Sequence, residues 1–200
     1  SSQPYDLVVG CDGVNSIVRK AMEAEHPAFE TTSTKLPGQF KVIKLDQIPS
    51  SVDPLAVSLI LPKAGRTTAF VEPTDTTGGC CILFASSSTD DEGILTNTVN
   101  VTAMHESLTA SFPQWGENTL RDVATQLMAQ TKAGSASSVV CNTYNYGGRA
   151  VLAGDAAHAT GGVSGQGVNS ALQDSVVLAN AIRSHRNDLP KALLEYSKKQ

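Results

Sequence analysis

Aromatic residues make up only 5% of this sequence, and it holds just four cysteines, Cys11, Cys80, Cys81 and Cys141. Two of the four are adjacent, and none shares the C-x-x-C or Cys/His spacing of a metal ligand set. That argues against zinc and supplies no disulfide framework. Such cysteines belong reduced in a core or on a strand, in a cytoplasmic or organellar reducing compartment rather than a secreted one. No unbroken apolar run approaches the ~20 residues of a membrane helix, so no membrane segment is expected within this span. Basic excess is lacking too. The net charge is -4, the lysines and arginines are scattered, and a nucleic-acid partner is not expected. The start, Ser1-Ser2-Gln3-Pro4, has neither an initiator methionine nor the charged and apolar regions of a signal peptide. The first element after Pro4 is already a core-type strand, so the natural N-terminus is expected upstream.

Present instead is an ordered alternation of patterns. Residues 5–10, Tyr5-Asp6-Leu7-Val8-Val9-Gly10, form a short β-branched run ending in glycine, as buried parallel strands do. After the Asp12-Gly13 turn, Val14, Ile17, Val18, Ala21 and Met22 recur at helical spacing until His26-Pro27 breaks the run. Between 37 and 84 the period becomes two, which predicts strands at 39–45, 55–61, 67–71 and 80–84 in an antiparallel sheet. Helices are expected at 90–108 and 120–130, and strands at 137–144 and 149–153. A glycine-rich loop follows at 161–167. A long helix then runs from Val168, with Val168, Ala171, Leu172, Ser175, Val176, Ala179 and Ile182 on its apolar face.

Two segments carry chemistry. In Gly154-Asp155-Ala156-Ala157-His158 an acid stands at the carboxyl end of a buried strand, where open α/β sheets bind ligands and a short acceptor suits a polyol hydroxyl. Beyond it, Gly165, Gln166, Gly167, Val168 and Asn169 open a helix whose unpaired N–H groups present partial positive charge. Gly165-Gln166-Gly167 departs from the G-x-G-x-x-G dinucleotide pattern because Ser170 replaces its last glycine. The neighbouring Gly162-Val163-Ser164-Gly165 fails as a nucleophile elbow because Gln166 replaces the final glycine. His158, three residues after Asp155, reads as a hydrogen-bonded structural histidine rather than an acid–base or metal group. In the other segment Asp12 again ends a strand, Gly13 permits a tight turn, and Ser16 can satisfy an orphan N–H in the first helical turn. Arg19 reads either as a solvated helical charge or as a phosphate contact.

Together and in this order, the two segments resemble the DG and GD motifs of the single-component flavoprotein aromatic hydroxylases, the class of p-hydroxybenzoate hydroxylase and kynurenine 3-monooxygenase. Ser111-Phe112-Pro113 and the run from Ser138 through Tyr144 look most like the kynurenine enzymes. The resemblance implies an α/β fold, α+β in its middle: an incomplete FAD/NAD(P)-binding Rossmann-like domain with an inserted antiparallel substrate-domain sheet. It assigns 1–30 to the rear of the FAD domain, 31–147 to the insertion and 148–200 to the return. The G-x-G-x-x-G region is absent from this span. By position, Gly154 and Asp155 take the ribitol end of FAD, and Gly165, Gln166, Gly167, Val168 and Asn169 face the flavin. Asp12, Gly13 and Arg19 take the DG role near the pyrophosphate and the NAD(P)H path. Gly162 and Val163 stand where the family commonly carries proline and, in the kynurenine enzymes, an aromatic. That loop borders the substrate, so the change points away from kynurenine.

The implied activity uses NAD(P)H and O2 to hydroxylate an aromatic or similar small molecule through a flavin C4a-hydroperoxide. This span alone is expected to be inactive. A reductase or halogenase on the same scaffold, or a truncated non-catalytic FAD-binding relative, are the alternatives.

Overall fold

A computed structural model describes residues 4–87, 94–95, 100–161 and 165–200. By internal contacts the chain divides into two compact units, Ser1–Leu36 with Ala136–Gln200, and Pro37–Ser135.

In the first unit, strand β1 (Val8–Gly10) leads through the Asp12-Gly13 turn into helix α1 (Ile17–Glu25), and β2 (Thr31–Lys35) follows. After the second unit the chain returns as β7 (Ser137–Cys141), β8 (Asn145–Tyr146) and β9 (Ala150–Leu152). Next come a single-turn helix α4 (Asp155–His158), α5 (Gly167–Ser184) and α6 (Leu189–Lys199). The sheet order is β1-β9-β8, with β1 and β9 parallel and Gly10 in register with Leu152. The alternation of a strand sends neighbouring side chains to opposite faces. Leu152 therefore packs with Met22, Phe29, Val139 and Ala156, while Val151 packs with Leu178, Ala181, Leu193 and Tyr196. β9 is thus covered on both faces, which is why its sequence reads as an uninterrupted apolar run.

β2 was not expected, because Thr31-Thr32-Ser33-Thr34-Lys35 offers no apolar alternation. It is made by pairing antiparallel with β7, Thr31 opposite Cys141 and Lys35 opposite Ser137. That ladder joins 31–36 and 136–141 to the first unit, so the second unit is narrower at both ends than the 31–147 insertion.

The second unit is a four-stranded antiparallel sheet, β3-β6-β5-β4, of β3 (Gln39–Leu45), β4 (Ser58–Ile60), β5 (Thr68–Pro73) and β6 (Cys80–Ser86), backed by helices α2 (Val101–Ser111) and α3 (Glu117–Ala129). One face buries Ile43, Leu45, Ala69, Val71, Ile82 and Phe84 against Met104, Leu108, Phe112, Leu120, Val123 and Leu127. Phe112 and Trp115 stack at 4.6 Å, with Phe84 edge-on to both. Lys41 lies on the buried face of β3, and its ammonium donates to the Leu127 carbonyl (3.2 Å) near the end of α3, where a cation favours the helix dipole. The opposite face carries an apolar row, Val42 opposite Leu83, Leu83 opposite Phe70 and Phe70 opposite Leu59. Val42, Phe70 and Leu59 are exposed. α2 begins at its Asn100 cap. The expected start near 90 lies outside the described residues.

Candidate functional site

Parallel pairing of β1 with β9 brings the two chemistry-bearing segments out of one sheet edge, since Gly10 is opposite Leu152 and the Ala153 N–H donates to the Gly10 carbonyl (3.0 Å). Adjacent strands lie about 4.8 Å apart. Asp12-Gly13 and Gly154-Asp155 are therefore neighbours although about 140 residues separate them in sequence.

At the first segment the carboxylate of Asp12 is occupied by its own helix. One oxygen accepts from the Ser16 hydroxyl (2.6 Å), the other from the N–H groups of Ile17 (2.7 Å) and Val18 (3.3 Å). Ser16 accepts from the Arg19 N–H (2.9 Å), as its position in the first turn suggests. Partial burial alone would raise the Asp12 pKa. The hydrogen bonds from Ser16, Ile17 and Val18 outweigh it and hold the carboxyl below its usual value.

Arg19 is not a solvated charge. The residue is 5% exposed, and its guanidinium donates to the carbonyls of Ala156 (2.8 Å) and Val14 (2.6 Å). It clamps α4 to the start of α1. Its helical position showed neither the burial nor the distant Ala156 carbonyl.

At the second segment the chain leaves β9 through Gly154, whose backbone (φ 60, ψ -146) is open essentially to glycine alone. Asp155 then begins α4 and is exposed. No described protein group donates a hydrogen bond to its carboxylate. α5 docks on this turn with one face. A side-chain carbon at Gly167 would stand 3.7 Å from Asp155 Oδ1, and one at Gly154 would stand 3.2 Å from the Ala171 methyl. Gly167, Ala171 and Asp174 follow each other at helical spacing, so a single stripe meets Asp155, Gly154 and His158 in turn. Among the described residues no side chain caps α5. Gly165 (φ 66) precedes it with open space around its missing side chain, and Asn169 donates to the Gln166 side-chain carbonyl (3.1 Å). The calls on Gly162 and Val163 lie outside the described residues.

Asp174 was missed by sequence reasoning. It is 1% exposed, and its Oδ2 accepts from the Gly154 N–H (2.6 Å) and lies 2.7 Å from His158 Nε2. His158 is thus the hydrogen-bonded structural histidine that its context suggested, with Asp174 rather than Asp155 as partner. Behind the pair, the Tyr196 hydroxyl donates to the Leu152 carbonyl (2.9 Å), and the Tyr144 ring centre lies 5.5 Å from that of His158. Burial pushes both phenols up, and the charge of Asp174 adds to it. The available signal was an acid inside an otherwise apolar helix. The predicted stripe pointed elsewhere: Val168, Leu172 and Val176 are exposed, and the buried residues are Asp174, Leu178 and Ala181. α5 is rich in small and apolar residues on every side, so periodicity did not choose its inner face. The Gly154 and His158 contacts did.

The geometry defines an α/β unit with two acid–glycine turns at the carboxyl ends of two parallel strands. Residues 5–199 match the family model described as FAD binding domain, and the chain belongs to that family. Violacein synthase of Chromobacterium violaceum is 28% identical over 210 residues, covering 96% of this chain and 44% of that protein. Kynurenine 3-monooxygenase of Anopheles gambiae is 28% identical over 202 residues, covering 98% and 39%. Among solved structures, 2-methyl-3-hydroxypyridine-5-carboxylic acid oxygenase superposes with a TM-score of 0.73 at 17% identity, over 98% of this chain and 50% of that one. The chain spans less than half the length of these two curated relatives.

The residues fit part of such a cofactor. Asp155 offers an unengaged acceptor for a polyol hydroxyl, and the missing side chain at Gly167 leaves room beside it. The start of α5, with no side-chain cap among the described residues, offers N–H donors to an electron-rich ring edge. No helix among the described residues is long and apolar enough to cross a membrane.

Proposed function

We propose that this chain forms the ribitol- and ring-facing part of the FAD site in a monooxygenase that uses NAD(P)H and O2 to hydroxylate an aromatic or similar small molecule. The observation that carries the reading is the unengaged carboxylate of Asp155 standing beside the side-chain-free start of α5, in a chain of the FAD-binding family. FAD, when bound, supplies the redox and oxygen-activating chemistry.

The residues of this chain bind and orient. Asp155 accepts a ribitol hydroxyl. Gly165, Gln166, Gly167, Val168 and Asn169 let the α5 amides approach the ring and stabilise negative charge there, a tuning of about 0.3–2 kcal/mol. Asp12 and Gly13 shape the adjacent turn. Arg19 acts from behind, as a clamp on α4 rather than a ligand. In its own unit, the apolar row of exposed Val42, Phe70 and Leu59 with half-buried Leu83 supports a role for that sheet face as an apolar wall for an organic substrate. The domain roles proposed are FAD binding for the flanking segments and substrate binding for the inserted sheet. The unpaired thiols of Cys11, Cys80, Cys81 and Cys141 support a reducing compartment.

The test is flavin content and oxygen uptake of the natural polypeptide in full. The wild type should retain FAD through gel filtration and consume O2 on addition of NAD(P)H, and Asp155→Ala should lose most of its flavin. Unchanged flavin content in that variant would overturn the assignment. FAD binding with oxygen uptake only when reduced flavin is supplied from outside would replace hydroxylation by a halogenase-type reaction.

A further inference from the structure

We propose that Asp174 is a positioning residue for the Asp155 site, acting through the Gly154 amide, so that FAD affinity at Asp155 depends on a side chain set behind it. The proposal rests on the FAD reading above and adds a residue to that site.

A carboxylate at 1% exposure on the inner face of a helix gives up its hydration and must be paired and hydrogen-bonded in return. Two partners of Asp174 meet it at the same oxygen: the Gly154 N–H at 2.6 Å and His158 Nε2 at 2.7 Å. Gly154 immediately precedes Asp155, and its glycine-only conformation holds the strand-to-helix turn in one shape. The Gly154 amide is therefore the handle by which α5 sets the direction of Asp155, two helical turns beyond the point where Gly167 faces the same carboxylate. His158 ends the turn that Asp155 begins. The Gly154 carbonyl accepts from the N–H groups of Ala157 (2.8 Å) and His158 (3.0 Å), so Asp155 is framed by the two groups that share Asp174.

The Tyr144 phenol packs on the His158 ring, and the Tyr196 phenol on α6 also interacts with Asp174. Burial raises the pKa of both phenols, so they stay neutral and supply no competing charge. Removing the carboxylate would leave the Gly154 N–H buried without this acceptor and free the turn that aims Asp155.

The experiment measures FAD affinity by flavin fluorescence in the natural polypeptide in full, with thermal unfolding of each FAD-free protein followed alongside. Asp174→Ala should bind about 10-fold or more weakly, as expected for loss of a hydrogen bond to a charged group. Asp174→Asn, whose side-chain oxygen can still accept from Gly154, should recover most of that loss. If Asp174→Ala does not fold, Asp174→Ser carries the test, because its hydroxyl is too short to reach the Gly154 N–H. A merely structural role would lower unfolding temperatures while leaving the FAD affinity of the folded variants like the wild type, and that result would overturn the proposal. A wild type that takes up no FAD would instead sink the flavin reading, and this proposal with it.

Discussion

The Gly154 amide donates to the carboxylate of Asp174 across 2.6 Å, from a residue twenty positions earlier in the chain. The bond joins the end of a buried strand to the inner face of the longest described helix. With Gly167 beside Asp155, it makes the candidate site a two-point dock of one helix on one turn. Consequences follow for substitutions at and behind that dock.

Gly167→Ala separates stability from binding. An added methyl would sit at ordinary contact distance, 3.7 Å from Asp155 Oδ1, and alanine favours a helix over glycine by up to about 1 kcal/mol. Stability in urea should be unchanged or slightly raised, while retained flavin falls because the methyl occupies the space beside the carboxylate. Equal flavin content in the two proteins would show that this space is not used.

Arg19→Met should destabilise by about 2–5 kcal/mol, since two carbonyls in or near the interior lose their donors. Arg19→Lys should recover little, because one ammonium cannot span the Ala156 and Val14 carbonyls as a guanidinium does. Urea unfolding monitored by circular dichroism measures both. A loss below about 0.5 kcal/mol, the usual range for surface positions, would contradict the clamp.

Asp12 makes acid stability testable. Its folded pKa lies below the ordinary 3.8, so its contribution is present in full above that value and is lost as pH falls through the lowered one. Asp12→Asn can still accept hydrogen bonds at the start of α1 but cannot titrate, so its unfolding free energy should vary less with pH between neutrality and the acid limb. Because Asp12 is largely exposed, the difference should be small and should shrink with added salt. An acid limb identical to wild type would remove Asp12 from the balance.

Much of the fold was legible because its patterns are local. The apolar run before Gly10, the helical stripe through Val18 and Met22 and the alternation along 39–45 and 80–84 each name their element from neighbours in sequence. Asp155 and the glycines before α5 were legible for a related reason, since an acid after a buried strand and a loop of glycines before a helix are short motifs. β2 was not, because its polar Thr-Ser-Thr run becomes a strand only on meeting β7. The solvated reading of Arg19 failed because its carbonyl partner Ala156 lies 137 residues away.

The sequence by itself determined most of the segments that become strands and helices, the order in which they occur, and that two acid–glycine turns end strands of one α/β unit. Tertiary structure decided how those pieces are used. It spent Asp12 on its own helix and buried Arg19, left Asp155 without a donor among the described residues, and turned Asp174 inward. The reason is physical: hydrophobic and turn patterns act over a few residues, whereas burial and hydrogen-bond partners are assigned only when segments far apart in the chain come together.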